Sequence, residues 1–153
     1  MPTHPVSLDD HTKAARLLAR YAHGVDGGGA EEVLACVTDD VVFEYESGAI
    51  RLEGPDEIRA FLLTKLIGVS THLISNVVVS DEGECKLVKA SAIVCVTREE
   101  GTVHMRGIQY EVLCADADDE FRIACLRHRA LWQFAAPNEF QGPPPLATQS
   151  GGV

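Results

Sequence analysis

A histidine, an aspartate and two tyrosines of this chain have side chains that could move or donate a proton. His72 lies at the start of a β-rich segment, and Asp26 ends a helical apolar pattern. Tyr21 and Tyr45 lie on a predicted helix and a predicted strand. When a carboxylate holds one ring nitrogen of a histidine, the other nitrogen becomes a base that can remove a proton from carbon. Tyrosine hydroxyls can donate to an oxygen that gains charge. These residues therefore indicate proton-transfer chemistry.

Each candidate also has a purely structural interpretation. A single histidine on a strand is often a hydrogen-bonded structural residue, and Asp26, directly before Gly27–Gly29, could simply organise a turn. Tyr21 lies on the apolar stripe of its helix, and Tyr45 shares a face with apolar strand residues, so both could belong to the core. The sequence by itself does not bring Asp26 and His72 together.

Composition indicates one globular domain in the cytoplasm. The chain has 153 residues, of which 46% are apolar and 24% charged. Its net charge of −10 would repel phosphate backbones, so we expect no nucleic-acid partner. No apolar stretch is long enough to cross a membrane, and no secretion signal opens the chain, so we expect no membrane association. The five cysteines lack C-x-x-C spacing and are expected to be reduced.

No cofactor or metal is expected. The six histidines show no H-x-x-x-H or H-E-x-x-H spacing, and no glycine-rich phosphate loop follows a predicted strand. The site that the sequence predicts is therefore one without metal, nucleotide or flavin.

The order of predicted elements indicates an α+β fold. Helices are predicted over about 9–25 and 30–37 and from Gly54 onward, with Thr38-Asp39-Asp40 as a turn before a strand at 41–46. Further β segments are predicted at 71–80, 86–98, 102–115 and 120–134. Short Gly- or Asp-bearing connections make them sequential hairpins, so three N-terminal helices should pack on a curved, mostly antiparallel sheet.

The predicted domain covers most of the chain. Residues 1–8 are expected to be a flexible lead, 9–135 a single domain, and 136–153 a flexible tail or intersubunit arm. The long strands are apolar on both faces, as in 93–96 and 130–132, and three helices cover only one face. We therefore expect a homodimer or homotrimer.

Several spaced motifs occur in a fixed order along the predicted elements. They are Tyr21-x4-Asp26, Thr38-Asp39-Asp40, Tyr45, Gly54-Pro55, Thr71-His72-x3-Asn76 and Arg106-Gly107-x2-Tyr110. In this order they resemble the SnoaL-like family of the nuclear-transport-factor-like superfamily, over roughly 8–135. The resemblance implies a cone-shaped α+β barrel.

The site pattern resembles those of bile-acid 7α-dehydratase, scytalone dehydratase and hexachlorocyclohexane dehydrochlorinase. This resemblance implies that Asp26 and His72 form a catalytic dyad, with Tyr45 as a catalytic tyrosine and Tyr21 as a pocket tyrosine. Thr97 or a neighbour stands where the scytalone enzyme has a second histidine, so a two-histidine arrangement is not carried over. The implied activity is a cofactor-independent lyase or isomerase for an apolar small molecule such as a steroid or polyketide. The superfamily also contains non-catalytic members, so a ligand-binding or scaffold domain is the alternative.

The last predicted strand offers two faces to the cone. Arg127 and Arg129 share one face and His128 lies on the other. An arginine in the pocket would bind a carboxylate or departing charge, whereas the alternative is a salt bridge. His104 and Arg106 are expected at the surface or at an interface, with a position at the mouth of the cone as the alternative. The residues expected to bind substrate are Tyr21, Phe43, Phe61, Tyr110, Arg127, Arg129 and Trp132.

Overall fold

The computed structural model of the chain describes residues 6–65, 70–98 and 102–137. Within them lie three α-helices and six β-strands. The helices are α1 (Leu8–His23), α2 (Ala30–Leu34) and α3 (Gly54–Lys65). The strands are β1 (Val37–Tyr45), β2 (Ile50–Glu53), β3 (Ser70–Glu82), β4 (Cys85–Arg98), β5 (Thr102–Ala117) and β6 (Glu120–Pro137). Residues 1–5 and 138–153, which hold most of the predicted lead and tail, lie outside the described residues.

The strands form one sheet in the order β2-β1-β6-β5-β4-β3. Neighbouring strands are antiparallel except β1 and β6, which are parallel. The helices contact the inner face of this curved sheet, α1 mainly through β3 and β6 and α3 through β1. The predicted α+β class, with three helices on a mostly antiparallel sheet, is therefore confirmed.

Helix α1 begins at a capping box, as its sequence predicts. The Ser7 hydroxyl accepts from the Asp10 N–H, and the Asp10 carboxylate accepts from the Ser7 N–H. Two N–H groups that have no partner within the helix are satisfied in this way. The buried stripe of the helix is Ala14, Leu17, Leu18, Tyr21 and Ala22. This stripe directs Tyr21 toward the sheet.

Two predictions for residues 30–40 are wrong. Residues Thr38-Asp39-Asp40 lie inside β1 rather than in a turn, because β1 already pairs with β6 at Val37 and Ile123. Helix α2 accordingly ends at Leu34 rather than near 37. The edge strand β2 was not predicted, since a strand of four residues gives too short an alternation to recognise.

A bulge in β3 decides which of its residues face the helices. The pairing of β3 with β4 shifts register between Ser75 and Val78, and Asn76 lies at φ 53°. Asn tolerates this left-handed conformation better than most residues. Before the bulge His72 is more buried than its two neighbours in sequence, and after the bulge Val79 is more buried than its two neighbours. His72 therefore points inward although its strand later exposes residues of the same parity.

The outer face of the sheet carries exposed apolar side chains. Leu73, Ile93, Gly107 and Trp132 form one cross-strand row. A Cβ on Gly107 would lie 2.2 Å from the indole of Trp132, so the ring packs directly against the glycine. Leu73, Trp132 and Phe134 are 60%, 46% and 50% exposed. A patch of this kind is typical of an interaction surface.

We predict that this outer face mediates self-association. Leu73→Lys should shift the assembly toward monomer in sedimentation velocity at micromolar concentration, because it places a charge in the apolar row. Leu63→Lys on α3 is the matched control, since Leu63 is 63% exposed and Leu73 60%, and it should leave the assembly unchanged. A wild-type chain that sediments as a monomer would contradict the prediction.

Candidate active site

The end of α1 brings a carboxylate against strand β3. The helix continues as one π-helical turn, Gly24–Gly28, closed by the Gly29 N–H donating to Gly24 O over 2.9 Å. Wide turns of this kind are frequent at functional sites. The turn carries Asp26, whose Oδ1 lies 2.5 Å from Nδ1 of His72. The structure thus brings together the two residues that the sequence leaves apart.

Both carboxylate oxygens of Asp26 accept hydrogen bonds from β3. The Ser70 hydroxyl donates to Oδ1 over 2.9 Å, and the backbone N–H of His72 donates to Oδ2 over 2.7 Å. Because an ionised carboxylate only accepts, it selects the tautomer of His72 in which Nδ1 carries the proton and Nε2 keeps its lone pair. The His72 side chain is 6% exposed, so its ring is shielded from bulk water.

Close packing between the end of α1 and α2 fixes the turn that carries Asp26. A Cβ on Gly24 would lie 2.8 Å from Cγ2 of Val33 and 2.9 Å from its backbone nitrogen. No larger residue fits at position 24 without moving α2. Glycine here therefore helps to set the distance between Asp26 and β3.

His72 lines a cavity of about 100 Å³ between the helices and the inner face of the sheet. Four aromatic rings from four different elements form much of its wall: Tyr21, Tyr45, Phe61 and Tyr110. Valine and isoleucine side chains, among them those of β4 and β5, add apolar surface. The polar and charged lining residues are Glu46, Ser70, His72, Arg106 and His128. The cavity is therefore apolar with a few polar groups, as ligand sites commonly are.

The tyrosines of the cavity are neutral hydrogen-bond donors at ordinary pH. Burial raises the pKa of Tyr21 to about 12 and holds the pKa values of Tyr45 and Tyr110 well above their usual range. The hydroxyls of Tyr21 and Tyr45 lie 3.4 Å apart. Tyr21 also meets the rings of Phe43 and Tyr110 edge-on, so it contributes to the core as well as to the cavity.

His128 faces the cavity from β6 and is held neutral. Its ring centroid lies 5.3 Å from that of Tyr45 and 5.7 Å from that of Tyr110. Burial, together with the positive charge of Arg106, lowers the pKa of His128 to about 4. Only 6% of the residue is exposed. At neutral pH this ring therefore offers one N–H and one acceptor nitrogen.

The remaining predicted binding residues do not line this cavity. Arg127 donates to Glu44 over 3.0 Å and is 54% exposed, and Arg129 donates to Gln109 over 2.5 Å. Both arginines line a separate surface pocket with Glu44 and Gln109, and Trp132 lies on the outer face, so their assignment to the cavity of His72 is corrected. Phe43 is fully buried behind Tyr21 and Tyr45 rather than in the lining.

Ser70, Arg106 and His128 belong to the cavity although the sequence analysis did not select them. Arg106 was expected at the surface, but it shares the inward parity of Ile108 and Tyr110 on β5. That alternation was available in the sequence. The inward face of β6 could not be predicted from the sequence in the same way, because a register shift between β5 and β6 at Gly107/Ile108 breaks the alternation near Trp132.

Metal ligation and membrane spanning find no support in the described ranges. No group of three or more His, Cys, Asp or Glu residues there is arranged to hold a metal ion. No helix among those residues is long and apolar enough to span a membrane.

Comparison with known proteins points to one family. A family model described as a SnoaL-like domain matches residues 6–127. No curated protein sequence matches the chain.

Solved structures share the fold at low sequence identity. A type 2 hexachlorocyclohexane dehydrochlorinase (LinA) is similar with a TM-score of 0.78 and 14% identity, over 91% of this chain and 97% of that chain. ActVI-ORFA from Streptomyces coelicolor gives 0.68 and 12%, over 78% and 96%. A protein of unknown function from Mycobacterium tuberculosis gives 0.68 and 19%, over 79% and 71%. At such identities the likeness shows the fold alone.

The buried neutral state of His128 predicts a pH dependence of stability. Its pKa is about 4 in the folded chain and 6.5 in its ordinary state, so the unfolded chain takes up a proton first as the pH falls. His128 contributes fully to the free energy of unfolding when the pH is above its unfolded-state pKa. As the pH falls toward the folded-state pKa, this contribution is lost progressively, by up to about 3 kcal/mol. His128→Phe should remove this part of the pH dependence in urea unfolding between neutral pH and about pH 4.

The control is His23→Gln, because the His23 side chain is 76% exposed. This variant should keep the wild-type pH dependence. Equal slopes of unfolding free energy against pH in the wild type and His128→Phe would show that His128 is not buried in its neutral form.

Proposed function

Because the chain belongs to the SnoaL-like domain family, we propose that it is a cofactor-independent lyase or isomerase of the dehydratase type. The observation that supports this most directly is the contact of Asp26 with Nδ1 of His72 beside an aromatic-lined cavity. Asp26 orients the ring, Nε2 of His72 acts as the base, and Tyr45 donates a hydrogen bond to an oxygen of the substrate. A dehydrochlorinase of the same fold gives this reaction class a precedent.

The proposed dehydration needs only the groups of this site. His72 Nε2 removes a proton from carbon, and the electron pair of that C–H bond becomes the new double bond. The neighbouring hydroxyl leaves and takes the proton back from the imidazolium, so water departs and the neutral base is restored. In an isomerisation the same imidazolium returns the proton to another carbon. Asp26 stabilises the imidazolium in both cases.

The size of the cavity limits the range of substrates that we propose. About 100 Å³ lies between the described residues, whereas sites for drug-sized ligands usually have roughly 300–1,000 Å³. We propose that one ring of an apolar compound enters this space. A steroid or polyketide would then place its reacting ring beside His72 and the rest of its skeleton outside.

A non-catalytic ligand-binding or scaffold domain is the second candidate. Tyr21 and Tyr110 are 1% exposed and fill much of the space that a larger ligand would need, and the outer face offers an apolar surface for assembly. In this case the contact between Asp26 and His72 would join α1 to β3 without serving as a base.

We predict that His72→Ala lowers turnover by about 10²–10⁴-fold, the usual contribution of a general base. The assay is a panel of cyclic β-hydroxy ketones and halogenated rings, followed by mass spectrometry for loss of water or hydrogen halide. Asp26→Asn should also lose most activity, because the amide can donate to Nδ1 and so favours the wrong tautomer.

His23→Ala is the control, since that histidine is exposed on α1 and should leave turnover unchanged. Full activity in a folded His72→Ala variant would exclude the proposed base. Binding without turnover throughout the panel would favour the second candidate.

A further inference from the structure

Two buried side-chain polar atoms have no hydrogen-bond partner among the residues that the structure describes, Arg106 Nε and His128 Nδ1. Both residues line the same cavity as His72. A buried polar atom without a partner costs free energy, and native structures rarely keep one without a reason. Two such atoms in one cavity point to polar atoms that a bound molecule supplies.

Arg106 holds a positive charge inside this cavity. Its side chain is 25% exposed, and it forms an ion pair with Glu46 at the end of β1. Glu46 and Ser47 have left-handed backbones, at φ 52° and 57°, in the short turn between β1 and β2. Strained residues of this kind are found where the surrounding structure needs them. Here the turn places the Glu46 carboxylate against the guanidinium.

The register of the sheet fixes the position of Arg106 relative to the base. Val94 of β4 pairs with His72 of β3 on one side and with Arg106 of β5 on the other. The backbones of His72 and Arg106 are therefore two strand spacings apart, or roughly 10 Å. Side chains that converge from these positions can contact the two sides of a single ring above Val94.

We propose that Arg106 and His128 form a subsite for an anionic oxygen of the ligand. The guanidinium supplies N–H donors and charge, and the neutral ring of His128 supplies one further N–H. The ligand class is a small ring compound with a carboxylate, or with a phenolate or enolate oxygen. Its ionised oxygen lies at Arg106 and its ring lies against Tyr45, Tyr110 and Val94.

This subsite would also stabilise charge during catalysis, a claim that rests on the proposed function. When His72 removes a proton from a carbon next to a carbonyl, the charge moves to the carbonyl oxygen as an enolate. A guanidinium at that oxygen stabilises the charge as it forms. Binding of a stable anion depends on Arg106 and not on proton removal, so the two claims can fail separately.

The experiment is isothermal titration calorimetry with matched pairs of probes. Benzoate is compared with benzamide, and para-nitrophenolate with its neutral methyl ether, above the pKa of the phenol. The wild-type chain should prefer at least one anion over its neutral partner by about tenfold or more, as expected for hydrogen bonds to a charged group. The two pairs distinguish a carboxylate ligand from a phenolate or enolate ligand.

Variants at both ends of the ion pair test the role of charge. Arg106→Gln should abolish the preference for the anion, and Arg106→Lys should restore part of it, because lysine keeps the charge without the planar fork. Glu46→Gln should strengthen anion binding, since it removes the carboxylate that competes for Arg106. Arg127→Gln is the matched control, because Arg127 also pairs with a glutamate but lies outside the cavity.

His72→Ala separates this inference from the proposed function, since it lacks the base but should keep the preference for the anion over its neutral partner. The proposal is overturned if neither anion binds at millimolar concentration or if each binds no better than its neutral partner. It is also overturned if Arg106→Gln keeps the preference. Should Arg106→Gln fail to fold, Glu46→Gln decides: unchanged or weaker anion binding in that variant contradicts the subsite.

Discussion

The hydrogen bonds that Asp26 accepts from β3 are the interaction on which the site depends. Strand β3 is one edge of the sheet, so its outward N–H groups have no neighbouring strand among the described residues. Asp26 satisfies one of them, the N–H of His72, with Oδ2, while Oδ1 accepts from the ring of His72 and from Ser70. One carboxylate therefore joins α1 to the sheet edge and also selects the tautomer of the neutral histidine ring. A carboxylate can do both because it has four lone-pair positions and no proton to donate.

The cavity beside Asp26 and His72 has a largely apolar wall and a few polar groups. Aromatic rings from α1, β1, α3 and β5 form much of its wall, and the three tyrosine hydroxyls among them stay protonated because burial raises their pKa values. The polar lining groups form two sets: Ser70 and His72 of β3, which both contact Asp26, and Arg106 of β5 and His128 of β6 with Glu46. The sheet register keeps these two sets apart with Val94 between them. His72 and the Arg106 guanidinium are thus held on separate strands of one cavity.

Much of the fold could be predicted because local chemistry and tertiary structure agree. The capping box at Ser7, the apolar stripe of α1 and the long alternating strands are found where the sequence places them. The failures have physical causes. Thr38-Asp39-Asp40 has the composition of a turn, but parallel pairing of β1 with β6 extends the strand through it. No local pattern encodes that long-range contact.

The site was harder to predict than the fold because it depends on which way strands face. His72 and Asp26 were chosen from a family resemblance, and their contact arises from a π-helical turn that no periodicity predicts. Arg127 and Arg129 were favoured by residue type, yet the inward residue of that segment is His128. A single register shift between β5 and β6 is enough to change which side chains near the end of β6 face inward.

The central claim is that Asp26 holds His72 as the tautomer with a free Nε2. A long-range proton–nitrogen NMR correlation spectrum of histidine-labelled protein at neutral pH tests this directly, with His72→Ala providing the assignment. We expect the His72 signals to show a protonated Nδ1 and an unprotonated Nε2, and Asp26→Asn to convert them to the opposite tautomer. A wild-type spectrum with the proton on Nε2, or one that Asp26→Asn leaves unchanged, would contradict the account.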